Sequence, residues 1–428
     1  MEHKRLDVSV PAGQRGTLKN GILLALVYLM VFQSPLEGIS SIFKLIDELV
    51  ALAGLCMLIW EAISYGRLRM KHYVLTIFAC LLLFTLAGLA GNVLYQYQPW
   101  NLVLKDLFIN LKFFFSLVTG YEVTKLFLTQ SGIRQINVHL CVITVLLFAL
   151  VCLEQVYPLF GEREIRYGMR SAQIFFLHST YMAGALAFII TALTVFYRRQ
   201  NLPFIGLALV MLMLTLRSKA LASAAVYVLL FVFIILLQGK LKLWHLCALG
   251  VGAVIVGWGQ ISYYFIELGG ASARSIMTST SFQVLQDHFP FGTGFGTYGS
   301  SAAAENYSAV YELYGFDEIY ELASWNPNAF LSDTFWPIIL GQGGFIGTIA
   351  FVVLLCLLFY HVFSLKRINR YCFLAGMFLL LYLLISSIAE PSFHNAIAIP
   401  LAVILGGLIR VAEHYRYPDG CPSTGIMF

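Results

Sequence analysis

Three basic residues stand where a largely apolar sequence gives little reason for charge. Arg217 and Lys219 lie in TLRSKAL (215–221), between two apolar runs, and Arg274 is the single Lys or Arg between residues 264 and 333. Guanidinium groups match phosphate oxygens with two parallel, charge-assisted hydrogen bonds. These cations therefore predict an anion site, with Arg217 and Arg274 taking part in the chemistry and Lys219 contacting the substrate.

Helix geometry supports a cavity site for Arg217, although a structural role is an alternative. Residues four apart share a helix face, so Leu221 would pack inward while Arg217 points along it into a cavity. The alternative is that Arg217 and Lys219 extend their charged ends to lipid headgroups. Ionisable groups at membrane depth are usually functional, which favours the cavity.

A second basic cluster, GEREIRYGMR (161–170), ends at Arg170. Arg170 is a further candidate for substrate contact. Glu162 and Glu164 can pair with the arginines of the cluster, so a structural role for Arg170 remains open.

Acidic residues near these cations are candidates for a general base, which would take the proton of an incoming hydroxyl. Asp333 precedes SDTFWPIILGQGGFIG (332–347), whose proline and glycines predict a bent helix that lines a cavity. The turn AEPSFHN (389–395) brings Glu390 and His394 to the same side. We expect Asp333 to be the base or an orienting group, and Glu390 and His394 to contact the substrate, although a lone interfacial histidine is usually only solvated.

The glycine segment PFGTGFGTYG (290–299) predicts tight turns, because glycine reaches positive φ without steric cost. No strand precedes it and no P-loop lysine follows, so a nucleotide cradle is not favoured. Tyrosines nearby suit stacking on sugar faces, and Tyr298 is a candidate sugar contact. These tyrosines are Tyr298, Tyr307, Tyr311, Tyr314 and Tyr320. We interpret the long loop that contains them as the lid of an active site.

An amphipathic helix is predicted within this loop. Phe282, Leu285 and Phe289 fall at helix spacing, which indicates a helix that ends at Pro290 and has Arg274 near its start. No Asp-x-Asp pair occurs in the loop, so no metal is expected.

The composition requires an integral membrane protein, since the 428 residues are 59% hydrophobic and only 11% charged. The net charge of +5 needs no nucleic acid to explain it, and the eight cysteines lack metal-ligand spacing. A spanning helix needs roughly 20 apolar residues, which predicts about twelve spans in an all-α polytopic membrane protein. Their expected limits are 20–36, 42–63, 73–93, 101–121, 136–155, 174–196, 202–216, 220–237, 243–265, 334–364, 371–389 and 393–411.

The placement of basic residues predicts the topology, because Lys and Arg accumulate on the cytoplasmic side. With the N-terminus inside, every inside segment holds at least two of them. Both termini are then cytoplasmic and the long loop is external. The predicted organisation is spans one to nine in 1–265, a periplasmic loop and active-site lid in 266–333, and spans ten to twelve with a cytoplasmic tail in 334–428.

The chain resembles the superfamily of O-antigen polymerases and O-antigen ligases, which are glycosyltransferases of the bacterial inner membrane. The resemblance rests on the number of spans, the large loop and four local patterns. These are the Arg-x-x-x-Leu of 217–221, the loop arginine Arg274, the Pro-x-Gly-x-Gly-x-Gly run of 290–296, and the Gly-x-x-Gly that ends at Gly347. It implies a GT-C-like fold and a metal-independent, inverting transferase without a cofactor, acting on undecaprenyl-diphosphate-linked glycans.

One departure favours the polymerase branch, often called Wzy. The ligases are similar in the bent helix but have His-Asn where this chain has Asp333 and Thr334, and His394-Asn395 is one residue out of the ligase register. We therefore expect a polymerase that joins lipid-linked repeat units on the periplasmic side. Its expected partners are undecaprenyl-diphosphate-linked oligosaccharide and membrane lipids, with a chain-length regulator membrane protein left open.

Two alternatives remain. The first is a ligase that moves glycan to lipid A core or protein. The second is a lipid-linked glycan transporter or flippase. Transporters usually show internal repeats and charges near the midplane of the bilayer, whereas the charges here gather toward one predicted face.

Overall fold

The structure, a computed structural model, describes residues 14–65, 72–127, 129–161, 163–237, 251 and 272–416. Its regular elements are helices and one short antiparallel hairpin, β1 (Ile165–Arg166) with β2 (Met169–Arg170). The helices are α1 (Gln14–Val31), α2 (Gln33–Ile39), α3 (Ile46–Tyr65), α4 (His72–Tyr95), α5 (Trp100–Phe127), α6 (Gln130–Val156), α7 (Ser179–Val195), α8 (Leu202–Leu214), α9 (Ser218–Phe231), α10 (Ala273–Asp287), α11 (Ser301–Glu305), α12 (Ala309–Leu313), α13 (Trp336–Ser364), α14 (Arg370–Ser387) and α15 (Ala398–Arg416).

Several of these helices are long and apolar enough to cross a membrane, as the composition predicts. Within the described ranges there are five, or six if α1 and α2, which meet at a bend of 74°, form one span. The five are Leu75–Tyr95, Gln130–Val156, Ser218–Leu236, Trp336–Arg367 and Arg370–Ser387. Twelve spans therefore stay a prediction, and the one expected at 243–265 lies outside the described residues.

Helix α5 packs along both α3 and α15. Small residues allow this close approach, because a Cβ at Gly54 would overlap the backbone of α5 and one at Gly120 would overlap that of α15. Gly406 of α15 makes the reciprocal contact with α5. Helices in lipid pack in this way because the surrounding hydrocarbon provides no hydrophobic drive toward association. The contacts hold α5 firmly between its neighbours.

Helix α13 confirms the predicted bend. Gly344 interrupts it with φ 59° and ψ −158°, a conformation that is nearly exclusive to glycine. The glycine segment fills the interruption: Thr293 N donates to Gly341 O (2.9 Å) and Ile346 N donates to Pro290 O (3.1 Å). Backbone groups at the bend are thus hydrogen-bonded within the protein.

The glycine segment is also held from α4 and α5. Asn92 Oδ1 accepts from Phe295 N (2.8 Å), Asn92 Nδ2 donates to Phe295 O (2.9 Å), and Asp106 Oδ2 accepts from Gly296 N (2.9 Å). Gly294 N donates to Gln342 O (3.1 Å). Because these N–H groups are used internally, the segment is a structural junction and does not cradle phosphate.

Residues 272–333 form a cap that packs against α13 through α10 and has its own small core. The predicted helix after Arg274 is confirmed, since α10 begins at Ala273 and ends at Asp287, before Pro290. Tyr298, Tyr311 and Phe316 are fully buried in this core. The cap therefore holds Arg274, near the start of α10, on a packed support.

Candidate functional site

A cavity of about 1240 Å³ lies between the cap, the N-terminal half of α5, the starts of α7 and α9 and the end of α14. Its volume exceeds the usual range for small-molecule sites. Its lining is rich in charge. The ionisable residues that line it are Glu48, Asp106, Lys112, Arg166, His178, Tyr181, Arg217, Lys219, Arg274, Asp333, Glu390 and His394.

The cavity collects most of the site residues that the sequence predicts. Those that line it are Arg217, Lys219, Arg274, Asp333, Glu390 and His394. They come from the start of α9, the start of α10, the end of the cap and the turn between α14 and α15. The fold thus gathers residues that are distant in sequence, whereas Arg170 and Tyr298 do not reach the cavity.

Arg217 enters the cavity from the break between α8 and α9. Leu216 has φ 53° and Arg217 is extended (φ −90°, ψ 130°) at the N-cap of α9. Arg217 therefore lies outside the regular part of α9, and the prediction that it shares a helix face with Leu221 is wrong. Its backbone carbonyl accepts the N–H of Leu221 (3.0 Å). The Arg217 Nε donates to Ser179 Oγ (2.7 Å), and its Nη2 lies 2.9 Å from His178 Nε2.

Lys219 forms an ion pair with Glu390 in the wall of the cavity. The two side chains are only 10% and 11% exposed. Removing one partner of such a pair leaves an uncompensated charge in a poorly solvated place. This pair therefore ties α9 to the turn after α14.

Arg274 pairs with Asp333 across the rim of the cap. The Nη2–Oδ2 distance is 3.4 Å, and the side chains are 27% and 40% exposed. Water screens a pair of this kind, so it contributes roughly 0–1 kcal/mol to stability. A pair this weak costs little free energy to break.

Glu164 pairs with Arg166 beside the cavity, as the sequence of the basic cluster allows, and it also contacts Arg217, which sequence reasoning missed. Glu164 accepts from Arg166 Nε (2.7 Å) and pairs with Arg217 Nη2 (3.3 Å). The hydrogen bond from Arg166 lowers the pKa of Glu164, so this carboxylate is ionised at neutral pH. A single carboxylate thus bridges two guanidinium groups that line the cavity.

The hairpin register explains why Arg166 lines the cavity and Arg170 does not. Arg166 pairs with Met169, and Ile165 pairs with Arg170. Partners in an antiparallel pair share a face and successive residues alternate, so the two arginines point to opposite faces. Arg170 donates from Nη1 to Glu154 O (3.4 Å), which fits the structural role that its sequence left open beside substrate contact.

Lys112 of α5 is another cavity residue that was not singled out. Its Nζ lies 2.6 Å from Asp47 Oδ2, and the two side chains are 9% and 6% exposed. Gln33 Nε2 donates to the other oxygen of Asp47 (2.9 Å). A lysine within an apolar run is the signal that could have found it, since such a charge must be paired or functional.

Tyr298 has a packing role that corrects the prediction of a sugar contact. Its side chain is fully buried, its hydroxyl donates to Met277 O (2.7 Å), and its ring lies 5.8 Å from that of Tyr311. Its neighbour Gly299 reaches the cavity, but Tyr298 does not. Tyr298 thus belongs to the core of the cap.

The fold and the site define a helical protein with membrane-length apolar helices and one large charged cavity. No family model and no curated protein matches the sequence. Across the described residues, no group of three or more His, Cys, Asp or Glu side chains is arranged to hold a metal ion. The residues that line the cavity are therefore the basis for inferring the function.

Proposed function

We propose that this protein is a membrane-embedded glycosyltransferase that polymerises O-antigen or a related surface polysaccharide. It moves an undecaprenyl-diphosphate-linked glycan onto a sugar hydroxyl of another lipid-linked repeat unit. The observation that carries the proposal is the convergence of Arg217, Lys219 and Arg274 with Asp333 and Glu390 on one cavity. The proposal includes the GT-C-like, twelve-span topology, with cytoplasmic termini and the cap on the periplasmic side of the inner membrane.

The cations would bind the diphosphate by exchanging partners. Arg217 contacts Glu164, and Arg274 contacts Asp333, through pairs whose carboxylates are 50% and 40% exposed. A diphosphate carries more negative charge and more acceptor oxygens than either carboxylate, so it displaces both. Lys219 keeps its sheltered contact with Glu390 and contributes positive charge from the wall.

This exchange places the general base where it is needed. When the diphosphate takes Arg274, Asp333 loses its partner and its carboxylate becomes available to the acceptor hydroxyl. The hydroxyl oxygen forms a bond to the anomeric carbon of the donor as the bond from that carbon to the diphosphate breaks. The proton passes to Asp333 and the electron pair leaves with the diphosphate, whose developing charge Arg217 and Arg274 stabilise.

A ligase is a second candidate, and one observation favours it. His394 lines the cavity, so an imidazole is present that could serve as the base in place of Asp333. Under this alternative the acceptor is lipid A core or protein instead of a second lipid-linked unit. Asp333→Asn would then retain activity and His394→Ala would lose it.

Complementation of polymerase-null and ligase-null cells tests the proposal, with lipopolysaccharide ladders as the readout. We expect the wild-type protein to restore many rungs in the polymerase-null cells only. Arg217→Ala and Arg274→Ala should each abolish chain extension while the protein still inserts. Lys105→Ala is the matched control, since Lys105 pairs with Glu305 on an exposed surface away from the cavity. Normal ladders from both arginine variants would contradict the proposal.

A further inference from the structure

The cap carries two exposed aromatic side chains that neither its core nor the cavity uses. Tyr320 and Trp325 are 68% and 64% exposed, and their ring centroids lie 5.5 Å apart at an interplanar angle of 60°. Of the five tyrosines expected to stack on sugars, Tyr298 and Tyr311 are buried. Trp325 supplies the second ring that the sequence argument did not consider.

The backbone around the two rings is held by hydrogen bonds. Asn326 Nδ2 donates to Tyr320 O (2.8 Å), and Phe330 N donates to Glu321 O (2.9 Å), which closes the turn. The surface that the rings present is therefore formed before any ligand arrives. Preorganised groups lose less entropy on binding.

The aromatic pair is connected to the rim of the cavity. Glu321 Oε2 accepts the N–H of Ala273 (2.9 Å), the residue before Arg274. The chain that follows the turn reaches the cavity lining at Ser332 and Asp333. A glycan attached to a diphosphate at Arg274 would therefore have the aromatic pair beside its exit.

The surroundings favour a glycan over an anionic surface. Asp317, Glu318 and Glu321 are exposed, and no Lys or Arg occurs between residues 275 and 365. This negative charge disfavours anionic lipid headgroups, whereas carboxylates accept hydrogen bonds from sugar hydroxyls. Aromatic rings offer an apolar face together with a polar edge, which suits a sugar ring.

We propose that Tyr320 and Trp325 form a saccharide-binding platform on the cap, outside the cavity. It binds the glycan portion of the substrate by stacking, with Glu321 supplying a hydrogen-bond acceptor. The nature of the ligand rests on the proposed function. The platform itself is a separate site that can be tested without turnover.

The test measures binding to the purified full-length protein in detergent. The probe is fluorescently labelled oligosaccharide, released by mild acid from the surface polysaccharide of the source cells. Tyr320→Ala and Trp325→Ala should each weaken binding about fivefold or more, and Trp325→Phe should retain most of it. Phe282→Ala is the control, because Phe282 is exposed on α10 of the same cap and lies outside the turn that carries the ring pair.

Inorganic pyrophosphate, measured on the same samples, separates the two proposals. Platform variants should bind it as the wild type does. If the wild type binds the oligosaccharide but not pyrophosphate, the diphosphate site is overturned and the platform is still supported. Equal oligosaccharide binding by all variants, or none by the wild type, would overturn the platform.

Reconstitution in bilayers with brominated lipid tests the other occupant of such a surface. Tryptophan and tyrosine also gather at membrane interfaces. If the platform is correct, brominated lipid quenches the wild type and Trp325→Phe by the same fraction. If brominated lipid quenches a smaller fraction of the tryptophan fluorescence in Trp325→Phe than in the wild type, Trp325 lies in the bilayer interface and the inference is overturned.

Discussion

Two neighbouring regions are held together by opposite means. The junction between the glycine segment and the bend of α13 depends on backbone hydrogen bonds and on positions where a Cβ would overlap the neighbouring chain. The cavity wall depends on charge, with Arg217, Lys219 and Arg274 each facing a carboxylate. The first region fixes a shape, whereas we propose that the second exchanges its contacts for those of a ligand.

The ion pairs of the cavity wall also differ from one another, in their exposure to water. The pair of Lys219 and Glu390 is nearly as sheltered as a core contact, whereas that of Arg274 and Asp333 is open to water. Under the proposed function, burial separates the charge that maintains the wall from the charges that exchange partners with a ligand. The variants below test this division, beginning with the largest expected effect.

Gly344→Ala should have the largest effect on stability. The residue has φ 59°, and an added Cβ would overlap the backbone of Gly292. Backbone strain and overpacking together should reduce the free energy of unfolding by about 4 kcal/mol or more, measured by thermal unfolding in detergent. Gly315→Ala is the control for strain alone, since Gly315 has φ 70° with open space around it, and it should cost about 1 kcal/mol. Equal losses in the two variants would contradict the tight junction.

Lys219→Ala should come next, because it removes the counter-ion of a poorly solvated carboxyl group, that of Glu390. We expect a loss of about 3 kcal/mol in unfolding free energy. The double variant with Glu390→Gln should recover part of it. Arg274→Ala, at the exposed pair, should change stability by no more than about 1 kcal/mol. If Lys219→Ala and Arg274→Ala lower the free energy of unfolding by similar amounts, the distinction between the sheltered pair and the exposed pair is wrong.

Glu164→Gln should have the smallest effect of these variants. It should strengthen ligand binding, whereas the variants above lower the free energy of unfolding. Glu164 occupies the guanidinium groups of Arg166 and Arg217, so removing its charge removes an internal competitor. Affinity for inorganic pyrophosphate, measured by calorimetry, should rise about threefold. Glu305→Gln breaks a pair whose carboxylate is similarly exposed and does not line the cavity, so it should change nothing. Weaker binding by Glu164→Gln would show that Glu164 supports the site instead of competing for it.

The sequence was informative where a residue had few physical options. A charge in an apolar chain must be solvated, paired or functional, which is why Arg217, Lys219 and Arg274 could be singled out. The proline and glycines of 332–347 predicted a bent helix, and the structure places the bend at Gly344, in a conformation that other residue types rarely adopt. The helix that starts beside Arg274 followed from periodicity.

Other features depended on the tertiary fold. Whether Arg166 or Arg170 reaches the cavity is decided by the register of a two-residue hairpin, which leaves no clear pattern in the sequence. Tyr298 has the right chemistry for a sugar contact, but the packing of the cap buries it. The pairing of Lys112 with Asp47 joins helices that are distant in the chain, and only the charge of Lys112 signalled it.

The central claim is that the arginines of the cavity bind a lipid-linked diphosphate. Its most direct test is the affinity of the purified protein for farnesyl diphosphate, a soluble short-chain polyprenyl diphosphate, compared among wild type, Arg217→Ala, Arg274→Ala and the control Lys105→Ala. We predict that each arginine variant binds about tenfold more weakly or worse, since each loses charge-assisted hydrogen bonds, and that the control binds as the wild type does. Equal affinity in all four proteins would contradict the account.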